Sequence, residues 1–132
     1  MKEKAEELFL KAEKKLHAAS TELFRPEEDV VAYSVCKNVQ FAVEHYLKGY
    51  LLKNKIDPSG HYTIESLYNH CAALDPKFGE VDMTHFECKV HPLDSKYCDN
   101  HSTASGCFEV AEKLSTFLKR SGMNRVVLNE GK

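Results

Sequence analysis

The chain has 132 residues, 42% hydrophobic and 29% charged, and its 18 basic and 20 acidic side chains give a formal charge of -2. That length suits one domain with its own core, and the composition excludes a chain too polar to collapse. The balanced charge excludes a whole-molecule positive field for capturing nucleic acid, so any such contact has to be local.

Six glycines and four prolines leave few places to turn, which favours long helices. The N-terminal segment is dense in charge, unlike a signal peptide or a membrane span, and points to a cytoplasmic protein without a membrane partner. From about Lys2 to Ser20, Ala5, Leu8, Phe9, Ala12, Leu16 and Ala19 recur at helical spacing on one face. Glu7 and Lys11 form a favourable pair on the other face.

Arg25-Pro26-Glu27-Glu28-Asp29 reads as a loop into a helix start, with proline tolerated in a first turn and acids complementing the helix N-terminus. The second helix runs to Leu52 or Lys53. Its apolar arc of ~140° includes Val39, Val43, Tyr46, Leu47, Tyr50 and Leu51, which makes it central. The same arc is wider than neighbouring helices should cover and predicts a homodimer. Opposite it, Gln40, Glu44 and Lys48 form a polar stripe, either a solvated face or the rim of a cleft.

Asp57-Pro58-Ser59-Gly60 is turn chemistry, and Thr63 is placed to cap a third helix carrying Ile64, Leu67, Tyr68, Cys71 and Leu74. His61, just before it, is read as a capping side chain, with a ligand contact as the alternative. Asp75-Pro76 ends that helix. Lys77 to Asn100 is weakly periodic, with a short helix expected near Val81 to Lys89. Ser102 or Thr103 is placed to cap a last helix whose buried face is Cys107, Val110, Ala111, Leu114, Phe117 and Leu118. The prediction is an all-α fold, an antiparallel up-and-down bundle of four or five helices. It forms one domain over residues 1–122, with a loose tail at 123–132.

Five cysteines, an odd number in a chain that needs no staples, suggest reduced thiols. His85, Cys88, His91, Cys98 and His101 combine the soft ligands zinc prefers at short spacing, so His85, Cys88, Cys98 and His101 form a candidate structural zinc set. Cys98 beside Lys96 and His101 is a candidate nucleophile; the alternative is an inert thiol. No cofactor is expected, because no phosphate-binding glycine loop occurs.

Several segments together resemble the HEPN domains (higher eukaryotes and prokaryotes nucleotide-binding). The first is Leu10-Lys11-Ala12-Glu13-Lys14-Lys15-Leu16-His17-Ala18-Ala19. Phe41 to Leu52 is similar to the family's Ala-x-x-x-Glu-Lys-x-Leu-Lys-Ala-x-Leu pattern. His61-Tyr62-Thr63-Ile64-x-x-Leu67 looks like its His-[Asp/Thr]-Leu step, and Lys96-Tyr97-Cys98-Asp99 resembles its Arg-Tyr-Pro-Asp segment. The resemblance spans about residues 3 to 120. It implies a helical bundle, usually a homodimer, often paired with a minimal nucleotidyltransferase; some members are metal-independent ribonucleases.

The ribonuclease members carry an arginine and a histidine with four to six residues between them. None of Arg25, Arg120 and Arg125 has a histidine at that spacing. Lys96 with His101 is the nearest substitute, and a lysine lacks the planar fork that clamps a phosphate. The leading expectation is therefore a non-catalytic, dimeric module that binds a nucleotide, RNA or a nucleotidyltransferase partner. The alternatives are a ribonuclease toxin using His101 and Lys96, and a zinc-stabilised interaction protein. The resemblance brings the segment before the last helix towards the central one, which makes Lys48, Lys96, Tyr97, His101 and Glu44 the candidate phosphate site.

Overall fold

The computed structural model describes residues 2–26, 28, 30–61, 63–83 and 101–120. Four α-helices are present among them: α1 (Lys2–Leu23), α2 (Ala32–Lys53), α3 (Ile64–Leu74) and α4 (His101–Arg120). A 3₁₀ helix, Pro76–Glu80, follows α3. The fold is the expected all-α bundle, with no strand among the described residues. No helix among them is long and apolar enough to cross a membrane.

The core is built around α2, which packs against each of the other three helices. Its apolar arc is covered on all sides, with Val39, Val43, Tyr46, Leu47 and Leu51 fully buried and Tyr50 nearly so. This overturns the argument that the arc leaves a surface for a second copy, since one chain already buries it. α4 is antiparallel to α1: Phe24 near the end of α1 meets Phe108 early in α4, while Glu13 meets Lys119 late in α4. The predicted inner face of α4 is buried throughout.

The start of α2 departs from expectation. The helix begins at Ala32, and its first turn carries no acid. The acceptor comes from the preceding helix: the Glu22 carboxylate takes the Val31 N–H at 2.8 Å and the Arg25 guanidinium at 3.3 Å. The backbone bond to Val31 is the main cause that holds the Glu22 carboxyl below its usual pKa. Val30 packs against the core while the chain is still outside the helix, and this placement decides where α2 can start.

α2 ends with Lys55 in the left-handed region (φ 65°), where Lys55 N–H donates to Leu52 O and Ile56 N–H to Leu51 O, each at 2.9 Å. This double bond pattern satisfies the terminal carbonyls. Thr63 caps α3 as expected, accepting the Ser66 N–H at 3.0 Å. Leu74, placed on the inner face of α3, is 43% exposed instead, in the last turn where the chain leaves at Asp75-Pro76.

Asp75 Oδ1 accepts the Lys77 N–H and starts the 3₁₀ helix, which places the fully buried Phe78 in an aromatic cluster with Tyr50, Tyr68 and Phe117. The short helix expected at Val81 to Lys89 is not formed at Val81 to Met83, and its remainder lies outside the described residues. α4 already includes His101, so Ser102 and Thr103 are helical residues and not its cap. Among the cysteines, Cys71 and Cys107 are buried and not disulfide-bonded. Cys36 is disulfide-bonded, which corrects the expectation of uniformly reduced thiols. Cysteine count and spacing do not show which side chains a fold brings within bonding distance.

Candidate functional site

The polar stripe of α2 is not a solvated face. No residue of Ala32–Lys53 is fully exposed, and Gln40 is buried, its amide Nε2 lacking a hydrogen-bond partner among the described residues. One turn on, Lys48 Nζ donates to Glu44 Oε2 at 2.6 Å, both side chains being half-buried. The helical spacing makes this pair, and the partial burial strengthens it relative to an exposed one. Of the candidate phosphate residues, Lys48 and Glu44 are brought together by this ion pair.

The chain entering α3 brings in a second group. His61 Nδ1 hydrogen-bonds Ser66 Oγ, and His61 Nε2 lies 3.0 Å from His70 Nδ1. Ser66 and His70 are four residues apart on α3 and share a face, so a histidine just before the helix reaches both. His61 is therefore the middle of a side-chain chain rather than a cap; Thr63 caps. Partial burial, then His70 and Lys48, hold the His61 imidazole below its usual pKa. His61 alone was singled out in the sequence. The four-residue step from Ser66 to His70 was the signal for its partners.

A third polar group lies between α1 and α4. The buried Tyr46 hydroxyl donates to Glu13 Oε2 at 2.7 Å and lies 3.1 Å from Ser115 Oγ; Lys119 Nζ reaches the same carboxylate at 3.5 Å. Glu13, Ser115 and Lys119 also line an open groove of about 640 Å³. The groove is rimmed by Glu80, Glu109, Glu112 and Lys113, and its mixed charge gives it no preference for an anion. No sequence signal linked Glu13 to Ser115, which are 102 residues apart.

Elsewhere on α2, His45 stacks on Phe41 with ring centres 3.8 Å apart, and its Nδ1–H donates to Phe41 O at 2.9 Å. Lys15 Nζ lies 5.2 Å from the Phe41 ring centre. Burial pushes the His45 pKa down.

His85, Cys88, His91, Lys96, Tyr97 and Cys98 lie outside the described residues, as does the side chain of His101. Among the described residues no three His, Cys, Asp or Glu side chains converge on a metal position. Arg25 and Arg120, examined for a partner histidine, pair instead with Glu22 and Glu80.

A family model for the HEPN domain matches residues 5–121. No curated protein and no solved structure gives a match.

Proposed function

We propose, from the premise that the chain belongs to the HEPN domain family, that it is a non-catalytic module binding a nucleotide, RNA or a nucleotidyltransferase partner. The observation that carries this reading is the state of three described cations. Lys48 is neutralised by Glu44 at 2.6 Å, and Arg25 and Arg120 are committed to carboxylates of their own. Cleaving a phosphodiester needs positive charge held in reserve for the transition state, whereas binding tolerates a cation that exchanges partners. Pairing with a second copy belongs to the reading through the family, and it would use a surface other than the buried arc of α2.

Calorimetry with ATP and with short single-stranded RNA, on wild type and on Lys96→Ala, His101→Ala and Lys48→Ala, is the test. Binding without RNA cleavage is expected, weakened in one or more variants. Cleavage abolished by His101→Ala would overturn the non-catalytic reading in favour of the ribonuclease. Metal analysis of the same sample tests the zinc alternative. Light scattering gives its oligomeric state, a 15.0 kDa species removing the homodimer.

A further inference from the structure

We infer that the junction of α2 and α3 is a proton-linked anion site, where Lys48, His61 and His70 together take a phosphate group. This rests on the nucleotide or RNA reading above and moves its phosphate contact away from the segment before α4.

The geometry supplies two imidazoles and one hydroxyl in a connected cluster, and the Lys48 charge acts on His61 from α2. His61 Nε2 and His70 Nδ1 face each other at 3.0 Å, His61 Nδ1 is bonded to Ser66 Oγ, and Lys48 is held by Glu44 at 2.6 Å. His61, His70, Ser66 and Lys48 are all only partly buried, so an anion reaches them without unfolding a helix.

Proton counting explains why the site is silent at neutral charge. Each neutral imidazole carries one ring proton, and one proton lies in the bond between the two rings. At that stage Lys48 and Glu44 cancel, and the cluster has no net charge. One added proton turns His61 into a donor at both ring nitrogens, and both of its bonds survive. The cluster then holds two positive charges against the single carboxylate of Glu44.

No other described acid is placed to cancel the excess. Glu65, next to Ser66 on α3, is exposed, and Asp57 on the connecting loop is tied to its own turn, its Oδ1 accepting the Ser59 N–H at 3.0 Å. The charged groups that act on His61 are His70 and Lys48, and both oppose its protonation, as partial burial does. A bound phosphate reverses that opposition. Its oxygens accept from the Lys48 ammonium, from the Ser66 hydroxyl that His61 Nδ1–H has released and from the His70 Nε2–H, so proton and anion bind together.

The experiment follows the His61 and His70 ring resonances by NMR between about pH 5 and 8, the range in which histidine changes charge, with and without inorganic phosphate. The expected result is an upward move of their midpoints by about one unit, with phosphate bound about tenfold more tightly at the acid end of the range than at the other. Lys48→Gln and His70→Gln should each remove the shift; the wild-type titration needs no variant to fold.

Midpoints that phosphate leaves unmoved, or moves equally in Lys48→Gln, would overturn the site. If ATP or RNA then still binds and responds to Lys96→Ala or His101→Ala, the functional reading stands without this inference. If inorganic phosphate, ATP and RNA all fail to bind wild type throughout the range, both fall.

Discussion

Single residues show how the bundle tolerates polar groups in its interior. Tyr46 is fully buried, yet its hydroxyl has partners on two other helices, Glu13 at 2.7 Å and Ser115 at 3.1 Å. Burial pushes this phenol well above its usual pKa, so it stays a neutral donor. Tyr46→Phe keeps the ring and removes the donor, leaving Ser115 and one lone pair of Glu13 without it. The expected loss is about 1 to 2 kcal/mol, the usual cost of stranding a buried polar partner. Urea unfolding measures it, and an unchanged midpoint would mean that water already satisfies these groups. Cys71 is the opposite case: burial alone pushes its thiol up to about 12, which makes it packing rather than chemistry.

At the scale of elements, the contact between α1 and α2 depends on one missing side chain. A Cβ at Gly49 would lie 2.7 Å from the Phe9 ring, which is itself buried. Helix propensity alone would favour alanine here by up to about 1 kcal/mol. Overpacking a tight core costs about 1 to 3 kcal/mol, and a packed ring has little room to turn aside. Gly49→Ala should therefore lower stability, which thermal unfolding would show as a reduced melting temperature; a raised one would mean that α1 moves away freely. The start of α2 also depends on a neighbouring element, because Glu22 of the preceding helix supplies an acceptor for the Val31 N–H.

For the molecule as a whole, the fold holds two histidines neutral. His45 and His61 both have folded pKa values below the ordinary 6.5, each through burial first. A base whose folded pKa is depressed takes up its proton more readily when unfolded. The stabilisation is thus complete above 6.5 and is lost as pH falls below it towards the folded values. Denaturation in a buffer free of phosphate should show this decline before the carboxylates titrate. The Glu22 contribution, with the opposite charge type, is present above 4.5 and declines only below it. A stability profile that stays flat from pH 6.5 down to 4.5 would show that neither histidine is held neutral by the fold.

Apolar spacing was enough to find the helices and most of their inner faces. Helical spacing of apolar residues is a local property, so the buried sides of α1, α2 and α4 were legible, as were the Thr63 cap and the stop at Asp75-Pro76. The family was legible for the same reason, since its segments are short and contiguous. Tertiary structure decided what lies far apart along the chain. It covered the whole arc of α2, half-buried the Glu44 and Lys48 pair, joined Glu13 to Tyr46 and Ser115, and set Phe78 in the core. It also gave His61 its partners. A side chain's spacing tells which face it occupies; what stands opposite that face depends on how helices cross and where loops return, and neither is written in local periodicity.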